Sequence, residues 1–372
     1  DGYAGLLQGT NDYNGVYGNT TVPGYYYDGS FSWLSWEVVE EFNAGFNFTT
    51  LNNRLSVDLD YFNRTTNNAV ISTTVPLSNS TLAGNNGKIN NQGFELSLNW
   101  TDKVGKDFRY NVGVNMSTLR NRVRSLNGAP YIYGGSAENR TIDIVGKPMN
   151  SYYGYRVAGI YQTAAEIAND PVAQNIIASG ITLEPGDFKY KDVNGDKMID
   201  DKDRVTLGSN IPKLSYGFNA GFQYKNLEFS MALAGVMGNK IYNRKRGLRY
   251  AQTNYNFDYD MYKNRWHGEG TSNSYPSARA LTKGWNVSHT SDFYVESGSY
   301  FRIQNLQMAY NFRNIRMGGF IIPNIRMSVN AENPLTVFSA NSFTPEVTNS
   351  NGWDTEVYPM SSTYTFGLRI DF

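Results

Sequence analysis

The sequence predicts an all-β chain: an antiparallel, membrane-spanning β-barrel wall of about nine strands, not a packed soluble domain. Three observations predict it. The stretch 363–372 (TYTFGLRIDF) alternates without a miss, with Tyr364, Phe366, Leu368, Ile370 and Phe372 on one face and Thr363, Thr365, Gly367, Arg369 and Asp371 on the other. A period of two is that of a strand. That strand finishes on its apolar phase at an aromatic residue, which suits closure in lipid and gains little in water. The composition agrees: among 372 residues there are 28 Tyr, 20 Phe, 6 Trp and 36 Gly, with much Asn, Ser and Thr. Aromatics suit the girdles of a barrel, and small amide and hydroxyl residues suit a wet lumen.

No stretch approaches the ~18–20 apolar residues of a membrane helix, so any crossing must be made by strands. The 33 basic and 33 acidic side chains cancel, and no basic stripe suits nucleic acid. There is no cysteine, which excludes a disulfide scaffold. The chain opens at Asp1 without a start methionine or leader, the mark of a processed chain or a piece of a longer one.

In chain order, 1–36 is rich in Gly, Asn and Tyr without sustained alternation and is expected as an outer loop. The wall is expected over 37–372. Phe42, Ala44, Phe46 and Phe48 oppose Asn43, Gly45 and Asn47, and a tight turn at 51–53 leads to Leu55, Val57, Leu59 and Tyr61. A polar loop over 67–88 precedes Phe94, Leu96, Leu98 and Trp100. A short turn at 102–106 returns the chain through Phe108, Tyr110, Val112, Val114 and Met116. The rhythm stops over 120–213, where a helix is expected at 164–179. It resumes at Leu214 to Tyr224, turns at Lys225–Asn226 and continues through Leu227, Phe229, Met231 and Leu233. An irregular segment over 240–298, marked by Trp266 and Trp285, is followed by Leu306 to Phe312, a turn near 314–323, Ile325 to Ala331, a loop over 339–360 and the closing strand.

This gives nine spanning strands: 37–48, 54–66, 89–101, 107–119, 214–225, 227–239, 299–313, 324–338 and 361–372. Short turns alternate with long connections, as in barrels with tight periplasmic turns and extended outer loops. If the last strand descends to the periplasm, 1–36, 120–213, 240–298 and 339–360 all lie outside, and 120–213 makes no crossing. Single-chain bacterial barrels have even strand numbers. Nine strands starting outside are therefore expected to be the carboxy-terminal part of a larger barrel.

One loop has metal-ligand spacing. Asp192, Asn194, Asp196, Asp200 and Asp203 fall at positions 1, 3, 5, 9 and 12 of a calcium loop, with the Met198 carbonyl at position 7. Short carboxylates so spaced can wrap a hard cation, and a structural Ca2+ is the one cofactor the sequence suggests. Against it, Lys197 stands where such loops carry glycine and Asp203 where they carry Glu; a solvated turn of Asp and Asn side chains explains the run equally. His267 and His289 are the only histidines, no G-x-S-x-G occurs, and nothing points to catalysis. Lys240, Arg244, Lys245, Arg246 and Arg249 would pair with lipid phosphates or form a solvated loop base, the second being slightly favoured. Tyr131, Tyr133, Trp266 and Trp285 would stack on sugars or pack within loops.

Several stretches carry a resemblance. Gly186 to Ser230 (GDFKYKDVNGDKMIDDKDRVTLGSNIPKLSYGFNAGFQYKNLEFS), 52–66 (NNRLSVDLDYFNRTT), 90–100 (NNQGFELSLNW), 298–312 (GSYFRIQNLQMAYNF) and 325–338 (IRMSVNAENPLTVF) resemble the carboxy-terminal barrel region of the SusC/RagA family of TonB-dependent outer-membrane transporters, in the family's order over roughly 40–372. The resemblance implies a plugged barrel of about 22 strands that imports oligosaccharides or peptides, with a SusD-like surface lipoprotein as lid and the TonB complex acting from inside. No plug or TonB box is present in this sequence, so partners carrying them are implied. The rival readings are a complete small porin and a secreted all-β carbohydrate-binding protein.

Overall fold

The structure, a computed structural model, describes residues 9–17, 20–27, 34–74, 81–135, 140–244, 246, 258–279, 285, 289–347, 351–355 and 358–371. Nine strands form the path of one ten-stranded antiparallel sheet, each pairing with the next wall strand along the chain: Val38–Thr50, Leu55–Thr74, Thr81–Val104, Phe108–Thr118, Leu214–Tyr224, Leu227–Met237, Tyr300–Met317, Phe320–Phe338 and Thr363–Asp371; the tenth, Arg120–Ser125, pairs with the upper part of Thr81–Val104. Each begins or ends within a few residues of its expected position at the turn side. Phe372, the expected last apolar residue, lies outside the described residues.

The register explains why these residues form a sheet with two unlike faces. Phe218 lies opposite Val114 on one side and Leu233 on the other, Met231 opposite Leu306, Met308 opposite Val329, and Val329 opposite Phe366. Apolar side chains thus meet apolar side chains across all strands, the unit of sheet stabilisation. On the other face Asn219 meets Gly113, Gln307 meets Asn330, and Asn330 meets Thr365. Among the described residues no second layer covers the apolar face: Phe366 is 80% exposed, Leu368 65% and Phe42 62%. A sandwich would bury this face against another sheet, and so large a bare apolar surface would aggregate in water. Lipid is the solvent that fits it.

Short turns lie at one end of the sheet. Leu51, Asn52 and Asn53 all take positive φ, and Gly105, Lys225 and Gly318 do so in the other three turns. Among the described residues no helix is long and apolar enough to cross a membrane.

The structure differs from expectation in four places. Within 1–36, an antiparallel hairpin pairs Gly9–Tyr17 with Thr20–Tyr27, separate from the main sheet, so the strand count of the sheet is unchanged. Pro23 is tolerated there because both strands of a lone pair are edges. The segment 67–88, expected as a polar loop, continues the paired strands to Thr74 and from Thr81; register shifts between Thr66, Ala69 and Ile71 break the alternation that would have revealed it. The turn expected near 314–323 is the two-residue Gly318–Gly319, with Met317 paired to Phe320. The helix expected at 164–179 is two, Ala164–Asn169 and Pro171–Ala178, broken because Pro171 lacks the N–H that would continue the first; Asp170 ends one and caps the other, accepting from Val172 N.

At the other end the long connections fold together. Tyr131–Gly135, Arg140–Ile144, Ser151–Gly154 and Val205–Gly208 form a four-stranded sheet, while Val157–Ile160 pairs with Phe188–Tyr190. Lys240–Asn243 pairs antiparallel with Val295–Ser297 and parallel with Trp353–Asp354, so two separate connections share one sheet. Beneath them lies the chief core of the chain, built on Tyr152, Tyr161, Phe188, Tyr190 and Tyr294. Phe108–Thr118 pairs directly with Leu214–Tyr224, so the described residues of 119–213 lie at this end.

Candidate substrate passage

The polar face of the wall lines two cavities of about 620 and 530 Å³. Their floor is smooth for a reason legible in the residues. Asn219 lies against Gly113, Asn115 against Gly217 and Asn111 against Gly221; a Cβ on Gly113 would stand 2.2 Å from Asn219 Oδ1. Glycine opposite each amide lets the side chain lie flat, leaving amide edges facing the cavity. Asp58, Asp60 and Glu95 line the larger cavity, with Asp60 and Glu95 directly opposite one another. Asn47 donates to Asp58 and Ser117 Oγ to Glu95 at 3.4 Å, and among the described residues none of the three carboxylates has a basic partner. Opposed like charges cost a sheet stability, so these three are the strongest binding candidates, able to accept from hydroxyl or ammonium donors. Other carboxylates of the face do have basic partners, as in Arg326 to Glu228 at 2.6 Å and Arg64 to Glu41 at 2.8 Å. The trio hides in the sequence as ordinary polar alternation; only the register brings it together.

Above the cavities, the expected aromatic candidates separate. Tyr131 and Tyr133 are exposed with ring centroids 4.8 Å apart, and the Arg140 guanidinium sits 4.8 Å from the Tyr133 ring. Burial, then the neighbouring Tyr131 hydroxyl, pushes the Tyr133 phenol up to about 12. Trp266 is half-buried, its Nε1 donating to Gln162 Oε1 at 3.1 Å. Trp285 is core, packed edge-on against Tyr190. His289 packs 4.9 Å from Trp285 and 5.2 Å from Tyr155, whereas His267 is exposed beside the Arg265 carbonyl.

The basic cluster is not the solvated base it suggests in sequence. Arg246 is buried, 2.8 Å from Glu296 and 3.4 Å from Asp260, with Nη1 donating to the Phe293 carbonyl. Arg244 lies 5.6 Å from the Trp353 ring. Lys240 is half-buried, and Lys245 and Arg249 lie outside the described residues.

In the acidic loop each short side chain turns onto the backbone. Asp192 accepts from Gly195 N and Lys197 N, Asn194 from Asp196 N, and Asp196 from Met198 N. Asp203 is fully buried and accepts from Val193 N and Asp200 N, closing a reciprocal cap in which Asp200 accepts from Lys202 N. Lys197 takes φ +64°, the conformation for which such loops use glycine. The Met198 N–H, and after it the Asn194 amide, hold the exposed Asp196 carboxyl below its ordinary value. Among the described residues, no three His, Cys, Asp or Glu side chains converge as a metal group.

No protein-family model matches the chain. It is 28% identical over 359 residues to TonB-dependent receptor P26 of Formosa agariphila, covering 91% of this chain and 35% of the relative. It is 24% identical over 367 residues to TonB-dependent receptor SusC of Bacteroides thetaiotaomicron, covering 91% and 32%. Among solved structures, the RagAB peptide importer in its open-open state superposes with a TM-score of 0.72 at 23% identity, covering all of this chain and 38% of that one. The chain thus spans about a third of the length of these relatives. By sequence it is a relative of the TonB-dependent receptors that include SusC, and by fold its nine-stranded sheet is barrel wall of the bacterial outer membrane.

Proposed function

We propose that the chain forms wall and outer mouth of a TonB-dependent importer, with the polar trough as part of the route of an oligosaccharide or peptide. The observation that carries the reading is the uninterrupted nine-stranded sheet, apolar outside and amide-lined inside, in a chain that aligns with receptors of this kind over 91% of its length. On this reading a plug-bearing part of the transporter fills the lumen and is worked by the TonB complex, and a SusD-like lipoprotein closes the mouth above the long connections, which face the cell exterior. Asp58, Asp60 and Glu95 accept hydrogen bonds from the passing solute. The chain binds and conducts; it does no covalent chemistry.

Native mass spectrometry of the particle extracted from its own outer membrane tests this. A plug-bearing polypeptide and a lipoprotein should accompany the chain. A lone particle of the chain's own mass would overturn the reading in favour of a small porin, and solubility without detergent would favour a secreted sugar-binding protein. Replacing the trio (Asp58→Asn, Asp60→Asn, Glu95→Gln) should slow uptake while leaving the assembled amount unchanged.

We propose a structural role for the Asp192–Asp203 loop, with Ca2+ as the ion its spacing suits. Chelation should then lower the melting temperature of the outer loops and added Ca2+ restore it; indifference to both would leave the backbone hydrogen bonds as the loop's whole support.

A further inference from the structure

A cleft of about 860 Å³ lies where the wall meets the folded connections. Phe108–Thr118 and Leu214–Tyr224 part there, the last bond running from Leu119 N to the Lys213 carbonyl, and Gly93 is needed because a Cβ on it would stand 1.8 Å from the Thr118 carbonyl oxygen. Register places part of the lining on the apolar face of the wall. Tyr61 and Phe94 are opposite one another on the apolar face, with rings 5.1 Å apart. Two residues further along the same strand, Gln92 pairs with Arg120, which places Arg120 on that same face. Arg120, Lys147, Lys213 and Lys240 line the cleft together with Tyr61 and Phe94, and no carboxylate lines it. Among the described residues none of the four cations has an ion-pair partner. Two lysine stems are seated against glycines of positive φ: the site of a Cβ on Gly208 is 2.6 Å from Lys240 Cγ, and that on Gly238 is 3.0 Å from Lys213 Cβ.

We propose that this cleft binds a phosphorylated lipid of the outer leaflet, its phosphate held by Lys147, Lys213, Lys240 and Arg120 and its acyl chain running down over Phe94 and Tyr61 onto the bare apolar wall. The assignment rests on the apolar face meeting lipid and not on any transported solute. A chain with no net charge gathers four uncompensated cations at one point of the rim, and ammonium and guanidinium groups are strong donors to phosphate oxygens. A free anion would have no use for the aromatic floor, and an uncharged lipid none for the cations.

Native mass spectrometry of the whole transporter, extracted in mild detergent, provides the test. The wild type should carry a phosphorylated-lipid adduct, and Lys147→Glu/Lys213→Glu/Lys240→Glu should reduce its occupancy by about tenfold or more. Lys103→Glu/Lys106→Glu, at the turn end, should leave it unchanged. Equal retention by the triple variant overturns the proposal. Should that variant fail to assemble, amine labelling of the wild type decides. Micelles containing a diphosphorylated glycolipid should protect the three lysines, and inorganic phosphate at equal phosphorus concentration should not. Equal protection by inorganic phosphate, or none by the glycolipid, overturns the assignment.

Discussion

The wall and the folded connections above it are made of the same chain by opposite means. In the wall almost nothing is buried within the chain; Phe218, Met308 and Phe366 have neighbours only beside them, and the sheet is held by its ladder and its surroundings. In the connections Phe188, Tyr190 and Tyr294 are enclosed, Arg246 is tied to Glu296, and stability comes from burial. One region takes its apolar partner from the membrane and the other makes its own. Two kinds of damage should therefore have separate effects.

The largest effect is expected from Phe188→Ala. The ring is fully buried, 5.0 Å from Phe293, and its loss should cost the connections about 3–5 kcal/mol. Proteolysis of the loops should accelerate while the heat-modifiable barrel band persists on gels; loss of that band would show that the two regions fold as one. Next, Phe218→Arg places a charge on the lipid face and should cost about 2–4 kcal/mol near mid-membrane, with impaired assembly, whereas Asn219→Arg should be tolerated. The reverse ranking would exchange inside and outside. Gly93→Ala forces a methyl against a carbonyl of the wall and should cost about 1–3 kcal/mol in denaturant titration. Gly217→Ala meets only the tip of the Asn115 amide, which can lift, and should cost clearly less. The smallest effect is a slope. Burial raises the Asp143 carboxyl above its ordinary 3.8, against the pull of the Asn150 N–H. The folded connections then bind that proton more readily than the unfolded chain, so their stability gains as pH falls from neutrality through the raised value. Asp143→Asn should flatten that dependence in hydrogen exchange; an unchanged slope would remove Asp143 as its source.

The same contrast governs what could be read in advance. Each wall strand displays its environment in every second residue, so Leu214–Tyr224 and Thr363–Asp371 stand out from sequence alone. The wall departs from its pattern where alternation and pairing part company: at the bulges near Ala69, and at Met317–Phe320, where the ladder outlasts the apolar pattern. The connections show no such period. Tyr152, Tyr242 and Tyr294 are distant in sequence and meet only in three dimensions, so Arg246 passes in sequence for a surface cation and Trp285 for a possible sugar platform. The binding candidates fall between these cases. Asp58, Asp60 and Glu95 lie on legible strands, yet their meeting depends on a register that no single strand reveals.

The parallel pairing of Tyr242 with Trp353, and the bond from the Tyr152 hydroxyl to the carbonyl of Gly352, 200 residues away in sequence, bear on the order of assembly. Wall strands joined by short turns find partners next door and can zip up at once, whereas these contacts, like the pairing of Phe108–Thr118 with Leu214–Tyr224, must wait for distant segments to arrive and close late, since long chain closures are slow. The outer body thus acts as a latch on the assembled wall: strands could still slide or be exchanged before it shuts, and afterwards the three connections resist removal one at a time.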